Sequence, residues 1–219
     1  MKTDLLTRLR QATADVHAEL ERHALMQRML GGAMSRPDYC LYLRNLHPIY
    51  AALEAALARH ALHPQLAGFD LPAMHRAEAI AEDLVLLCGE GWASLTLTPS
   101  AEAYACAVTT LADERPELLG AHAYVRYLGD LSGGRIVRGR IAGALGLDAG
   151  AGLAFYAFGE PDNASLLAQR LRRALKALPV TDGLAGELVD EAVRGFDRHR
   201  HLFDDLEGLT AAAQSPAVN

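Results

Sequence analysis

Apolar residues recur at helical spacing through almost every segment of this chain, and this feature limits its possible folds more than any other. The first segment is typical, because its apolar face is formed by Leu6, Leu9, Thr13, Val16 and Leu20. Period-two alternation, the pattern of a half-buried strand, is nearly absent. The sequence therefore predicts an all-α protein in which seven or eight helices share one core.

Glycine, proline and capping residues predict where the helices begin and end. Gly31-Gly32 should end the first helix, and Ser35 should cap a second that continues to about His60. A third should run from Pro72 to Gly89, and later helices are predicted at 99–115, 116–145, 163–178 and 182–209. The glycine-rich connection after residue 145 is not expected to form regular structure, and a short strand-like piece at 153–158 is the alternative. No shift in composition marks a boundary, so residues 1–210 are expected to form one domain, followed by a flexible tail at 211–219.

Composition excludes several classes of function. The chain has 219 residues, and 21 Lys+Arg against 27 Asp+Glu give a net charge of -6, which argues against a general nucleic-acid binder. Neither terminus carries an apolar run typical of a signal peptide or membrane anchor. Cys40, Cys88 and Cys106 form neither an even disulfide set nor a C-x-x-C pair. We therefore expect a cytoplasmic protein with reduced cysteines.

The segment 121–141 is strongly helical in pattern yet contains Gly129, Gly133 and Gly134. Each helical glycine costs about 1 kcal/mol relative to alanine. On a helical projection the three flank Asp130, and Arg126 lies one turn earlier on the same side. A helix surface without side chains, holding one carboxylate, suits a flat ligand. Tight packing against another helix is the alternative interpretation.

On the first helix, His17 lies at the border of the apolar face, and Glu21 follows one turn later. The Glu21 carboxylate could accept the imidazole N–H and leave the other nitrogen free for a metal. A histidine beside an acid is also a common structural or solvent-facing pair, so both interpretations stay open. The remaining histidines show no spacing typical of a metal site and are expected to be mostly surface or partly buried residues: His23, His47, His60, His63, His75, His122, His199 and His201.

The two segments together, LRQATADVHAELE and AYVRYLGDLSGG, resemble the proximal-helix and distal-helix signatures of the haem oxygenases. The resemblance extends over nearly the whole chain, through HPIYAALEAAL, GLAFYAF and FDRHRHLFDDL. It implies a mostly helical fold with haem between the first helix and a kinked distal helix. It also implies that haem is at once substrate and cofactor, that dioxygen is the co-substrate, and that biliverdin, carbon monoxide and ferrous iron are the products.

The resemblance assigns a role to each candidate site residue. It implies that His17 is the iron ligand with Glu21 as its partner, and that Asp130 orders distal water, held in place by Arg126 and Tyr124. The remaining positions are implied to contact the haem ring or its propionates: Gly129, Gly133 and Gly134 under the ring, Arg10 and Arg172 at the propionates, and Phe196 in the pocket wall. The chain departs from the family pattern at Ala14 and Ala168, where lysines are frequent.

The resemblance also implies an electron-donor protein, such as a ferredoxin or a flavoprotein reductase. Arginines and a lysine in the second half of the chain either solvate an exposed face or form a docking surface for such an acidic partner; they are Arg135, Arg138, Arg140, Arg170, Arg172, Arg173, Lys176, Arg194, Arg198 and Arg200.

Two other functions compete with catalysis. A haem carrier or sensor could share the scaffold, although it would not need Asp130 in a bare pocket. A di-iron bundle requires Glu-x-x-His on two helices, and no glutamate of this chain has a histidine three positions later.

Overall fold

The computed structural model describes residues 4–69, 71–147, 150–160 and 162–214. Within these ranges the chain forms nine α-helices joined by loops and short 3-10 turns, and no strand. The helices are α1 (Leu5–Ala12), α2 (Ala14–Arg22), α3 (Ala24–Leu30), α4 (Arg36–Arg59), α5 (Ala77–Cys88), α6 (Pro99–Glu114), α7 (Leu119–Leu145), α8 (Asn163–Ala177) and α9 (Asp182–Gln214). The predicted all-α class is confirmed.

The predicted first helix is wrong in one respect, because it is broken into α1, α2 and α3. At the first break the Thr13 hydroxyl donates to the carbonyl of Leu9 at 2.8 Å and also bonds the hydroxyl of Tyr124 at 3.0 Å. A threonine bonded back onto its own helix bends that helix. At the second break His23 has an extended backbone, and its Nδ1 accepts the backbone N–H of Leu25. These breaks divide the amino-terminal segment into three short helices.

The central helix α4 follows the prediction closely. The Ser35 side chain caps it by accepting the backbone N–H of Asp38 at 3.2 Å. The helix is surrounded by α5, α6, α7 and α9, and one side of it is fully buried. Tyr50, in its second half, has no exposed surface and points towards α7.

The helix predicted from Pro72 to Gly89 is shorter than expected. Pro72–Met74 forms a 3-10 turn, and α5 begins only at Ala77. The reason is the buried Glu54 of α4, whose carboxylate accepts the backbone N–H groups of Arg76 and Ala77. A carboxylate at this place satisfies amide donors that have no partner within the new helix.

The alternative of a strand-like piece at 153–158 is not found. Ala154–Tyr156 is a 3-10 turn. The Asp83 carboxylate of α5 accepts the backbone N–H of Ala154 at 2.7 Å and that of Phe155 at 2.8 Å. These two bonds fix the turn, so the apolar side chains of the segment pack into the core without a partner strand.

The later helices agree with the predicted boundaries. Thr98 caps α6 by accepting the backbone N–H of Ala101. Helix α7 continues without interruption through Gly129, Gly133 and Gly134. The last helix is longer than predicted, because α9 continues to Gln214 and includes the first four positions of the expected tail. Residues 215–219 of that tail lie outside the described ranges.

Two of the cysteines form a disulfide, contrary to the expectation of reduced thiols. Cys40 near the start of α4 is bonded to Cys88 at the end of α5, whereas Cys106 is free and exposed. The two partners are 48 residues apart, so their spacing in the sequence gave no signal. Within the described ranges, no helix is both long enough and apolar enough to cross a membrane.

The Glu54 cap yields a prediction about stability. Glu54→Ala leaves two amide N–H groups at the start of α5 without their acceptor, so we expect the free energy of unfolding to fall by about 1–3 kcal/mol. Denaturant titration followed by circular dichroism measures this loss. Glu82→Ala, which removes an exposed carboxylate from α5, should change it by less than about 0.5 kcal/mol. Equal effects of the two substitutions would show that Glu54 does not hold the start of α5.

Candidate functional site

A cavity of about 950 Å³ lies between the amino-terminal helices and α7. Its walls include residues from α1, α2 and α3 on one side and the stretch from Tyr124 to Val137 of α7 on the other. One side chain each comes from α4 and α8, and three come from α9. Ligand-binding pockets are commonly about 300–1,000 Å³, so this one can hold a large cofactor. All eleven site residues predicted from the sequence line this cavity: Arg10, His17, Glu21, Tyr124, Arg126, Gly129, Asp130, Gly133, Gly134, Arg172 and Phe196.

Gly129, Gly133 and Gly134 of α7 serve two different purposes. A Cβ atom added at Gly129 or Gly133 would meet no atom within 4 Å. Helix packing therefore does not explain these two glycines, and the bare backbone they leave faces the cavity. A Cβ at Gly134 would lie 3.0 Å from the Tyr156 ring. The packing interpretation therefore applies to Gly134, because the missing Cβ makes room for the buried ring of Tyr156.

His17 reaches the cavity from α2. Its side chain is 51% exposed, and its Nδ1 lies 3.6 Å from Oε1 of Glu21. The ring of Phe196 meets the imidazole edge-on, with the ring centroids 5.7 Å apart. A carboxylate beside Nδ1 favours the tautomer that carries its proton there, which leaves Nε2 with a free electron pair. The arrangement can supply a nitrogen ligand to a metal bound in the cavity.

Asp130 is bound by a residue that the sequence analysis did not identify. The Tyr50 hydroxyl of α4 donates to Oδ2 of Asp130. Arg126 in turn donates to the same hydroxyl oxygen, from Nε at 3.2 Å and from Nη2 at 3.0 Å. In the structure Arg126 therefore reaches Asp130 through the Tyr50 hydroxyl.

Burial dominates the electrostatics of this group. It raises the pKa of the Asp130 carboxyl, although the charge of Arg126 and the Tyr50 hydrogen bond oppose that shift. It also raises the pKa of Tyr50 well above the usual range, so this phenol keeps its proton. Burial alone would lower the pKa of Arg126, but the surrounding tyrosines and Asp130 raise it, and the guanidinium remains charged. Asp130 is thus the group of this network best suited to take up and release a proton.

Tyr124 does not take the position expected for it. Its hydroxyl bonds the Thr13 hydroxyl at 3.0 Å, on the α1 side of the cavity. Tyr124 therefore anchors the break between α1 and α2 and does not bond Asp130. The family resemblance assigned Tyr124 a place beside Asp130. The sequence could not show which face of α7 meets α4.

Two arginines stand at the edge of the cavity. Arg10 is exposed on α1, and Arg172 is exposed on α8, where its Nη2 lies 3.3 Å from the Ser132 hydroxyl of α7. Both can bind anionic groups of a ligand while the rest of the ligand enters the cavity. Of the two departures from the family pattern, Ala14 lines the cavity, whereas Ala168 is buried in the core.

Tyr50 and His199 are the functional candidates that sequence reasoning missed. His199, expected to be an ordinary histidine, is buried beside the cavity and contacts Arg126. His122 is also fully buried, where Nε2 bonds Glu191 at 2.9 Å. Each of these side chains lies on a regular amphipathic helix and is far in sequence from its partner. For Tyr50 on α4 and His199 on α9, only the helical face directed at α7 could have identified them.

The two kinds of glycine can be separated by stability measurements. Gly133→Ala should raise the free energy of unfolding by about 0.5–1 kcal/mol, because alanine favours a helix and its Cβ meets nothing. Gly134→Ala should lie at least about 1 kcal/mol below Gly133→Ala, because its Cβ displaces the packed Tyr156 ring. Denaturant titrations of the two variants measure the difference. Equal gains would contradict the assignment of Gly134 to packing.

Comparison with known proteins identifies the family. The family model described as "Heme oxygenase" matches residues 3–205. Heme oxygenase 2 of Synechocystis is 36% identical over 96% of this chain and 86% of its own length. The crystal structure of that heme oxygenase-2 with heme and NO superposes with a TM-score of 0.91 over 97% of this chain and 89% of the other. The heme complex of Synechocystis heme oxygenase-1 gives a TM-score of 0.90 at 32% identity, covering 96% of each chain. With its fold, cavity and sequence all in agreement, this chain belongs to the haem oxygenase family.

Proposed function

We propose that this protein binds haem in the described cavity and cleaves it oxidatively to biliverdin, carbon monoxide and ferrous iron, with dioxygen and externally supplied electrons. The observation that carries the proposal is the pair of glycines, Gly129 and Gly133, whose bare backbone borders the same cavity as the exposed imidazole of His17. The two Synechocystis relatives, whose structures contain heme, support the choice of ligand.

The residues present fit haem in shape and in charge. A flat ring can lie against α7 where a Cβ at Gly129 or Gly133 would otherwise stand. His17 offers Nε2 to the iron, while Glu21 holds the proton on Nδ1. Arg10 and Arg172 at the cavity edge can pair with the two propionates, which are costly to bury without cations. When bound, haem supplies both the iron that takes up dioxygen and the ring that is oxidised.

Catalysis requires protons at a defined place, and Asp130 is suited to deliver them. Its carboxyl borders the cavity, and burial raises its pKa above the usual value of an aspartic acid, which makes it a better proton donor than an ordinary surface carboxylate. The Tyr50 hydroxyl fixes Oδ2, which leaves Oδ1 to hold a water molecule in the cavity. The glycines next to Asp130 bring no other acid or base to the ring. A haem carrier or sensor would have no use for this carboxyl, so the geometry favours the enzyme.

Loss of the proposed iron ligand tests haem binding. His17→Ala should lower the affinity for hemin at least about tenfold and remove the spectrum of imidazole coordination, because no ring nitrogen reaches the iron. Optical titration measures both, and added imidazole should restore the spectrum by entering the space left in the cavity. An unchanged spectrum in His17→Ala would assign coordination to another residue.

Loss of the proton carrier tests the reaction separately from binding. Asp130→Asn keeps the acceptor for Tyr50 but cannot ionise, so hemin should bind with unchanged affinity while biliverdin formation slows about a hundredfold. Product chromatography after addition of hemin and ascorbate in air measures the rate. Asp15→Asn, an exposed carboxylate of α2, should retain the full rate. Normal turnover in Asp130→Asn would refute the proposed role.

An electron-donor protein, such as a ferredoxin or a flavoprotein reductase, is proposed to dock on α7 and α8. The arginines of α9 are compensated locally, since Arg194 and Arg198 bind Glu191, and Arg200 binds Asp197 and Asp204. By contrast, Arg135, Arg170 and Arg173 are exposed, on the same two helices as the cavity residues Ser132 and Arg172. An acidic donor attracted to them would meet the protein near the cavity edge.

Charge reversal tests this docking surface. Arg170→Glu combined with Arg173→Glu should slow turnover at least about fivefold with reduced ferredoxin, more at low than at high salt, because the effect is electrostatic. Turnover with ascorbate should not change. Arg36→Glu, at an exposed arginine at the start of α4, is the control and should have little effect with either donor. Equal slowing with ferredoxin and ascorbate would contradict docking at this surface.

A further inference from the structure

His199 of α9 lies beside the cavity but has no role in the proposed binding of haem or delivery of protons. Its side chain is 7% exposed and borders the cavity. Nδ1 of the ring lies 2.9 Å from Nη1 of Arg126, and Nε2 lies 3.3 Å from the same atom. The ring also packs against Phe203, with the centroids 4.5 Å apart. Both the hydrogen bond and the packing fix the orientation of the imidazole.

The direction of this hydrogen bond is settled by chemistry. A guanidinium has only donors, so the nearer nitrogen of His199, Nδ1, must accept with its electron pair. The ring is therefore neutral, with its proton on Nε2. Burial and the charges of Arg126 and His23 lower the pKa of His199 well below its usual value, in agreement with this assignment.

His199 completes a clamp around Arg126. Nε and Nη2 of the guanidinium donate to the Tyr50 hydroxyl of α4, and Nη1 donates to His199 of α9. The planar group is thus held on two edges by two other helices, α4 and α9. Because the Tyr50 hydroxyl oxygen accepts from Arg126, its proton is directed to Oδ2 of Asp130.

We propose that His199 is a positioning residue for haem cleavage: by holding Nη1 of Arg126, its imidazole keeps the guanidinium against Tyr50 and so fixes the Asp130 carboxyl at the cavity. The inference rests on the proposed function. Without an acceptor at Nη1, a buried cationic N–H group loses its partner and the guanidinium turns to find another. The Asp130 carboxyl would then lose its orientation, although its backbone remains part of α7.

Three variants isolate this role. His199→Leu removes the acceptor, and His199→Asn keeps one, because Oδ1 of asparagine lies as many bonds from the backbone as Nδ1 of histidine. His201→Leu removes an exposed histidine two residues later and is the matched control. Arg126→Lys is an independent variant, since a single Nζ cannot bond both Tyr50 and His199 as the guanidinium does.

The first measurement uses hemin-free protein and nuclear magnetic resonance of ¹⁵N-labelled arginine. The Arg126 Nε–H group, which donates to Tyr50, should exchange slowly with solvent in the wild type and in His201→Leu. Exchange should be at least tenfold faster in His199→Leu and near the wild-type rate in His199→Asn. Unchanged exchange in His199→Leu would overturn the proposal.

The second measurement follows one turnover of bound hemin. Hemin affinity should stay within about twofold of the wild type in all His199 variants, while the biliverdin yield falls at least threefold in His199→Leu and recovers in His199→Asn. In the Asp130→Asn background His199→Leu should add less than a twofold loss, because both act through one carboxyl. The proposal would be overturned if the losses of biliverdin yield in the two single variants multiplied in the double variant. It would also be overturned if His199→Asn did not restore the yield.

Two further outcomes have a defined meaning. Were His199→Leu unable to fold, Arg126→Lys should show the same fall in biliverdin yield with normal hemin affinity, and a wild-type yield in that variant would refute the clamp. A wild-type protein that binds hemin but yields no biliverdin would refute the proposed function and, with it, a positioning role in cleavage. The exchange measurement would then still show separately whether His199 holds Arg126.

Discussion

The structure depends on α7 remaining a helix although part of its surface has no side chains. Gly129, Gly133 and Gly134 together cost about 3 kcal/mol relative to alanine. Buried polar contacts of other α7 residues hold the helix: His122 bonds both Glu191 and Tyr104, and Arg126, beside the cavity, bonds Tyr50 and His199. Burial of Glu191 opposes its ionisation, but His122, Arg194 and Arg198 together lower its pKa to about 2. These contacts hold α7 in place, while Gly129 and Gly133 leave its backbone bare at the cavity.

The cavity joins this fixed helix to a less regular counterpart. The breaks at Thr13 and His23 divide the amino-terminal segment into three helices, and the middle one presents His17 and Glu21 at the cavity. Thr13 is bonded to Tyr124, so the break is itself tied to α7. In the proposed function the two sides have distinct tasks. The α2 side binds the iron, and the α7 side receives the ring and holds the proton carrier.

The sequence predicts those parts of the site whose signal is local. The glycines around Asp130 and the spacing of His17 and Glu21 are visible within one helix each, and the caps at Ser35 and Thr98 predict helix starts that the structure confirms. Long-range contacts explain the errors. Thr13 breaks a helix through a residue 111 positions away, Glu54 and Asp83 reshape segments far along the chain, and Cys40 bonds Cys88. The roles of Tyr50 and His199 could not be predicted for the same reason, because each contacts Arg126 from a helix distant in sequence.

The central claim is that a flat haem ring lies against the bare backbone of α7 while His17 binds its iron. A crystal structure of the hemin complex tests this claim most directly. The account predicts iron bonded to Nε2 of His17, ring atoms within about 4 Å of the backbone at Gly129 and Gly133, and propionates near Arg10 and Arg172. Iron bonded to a different residue, or a ring bound away from these two glycines, would contradict it.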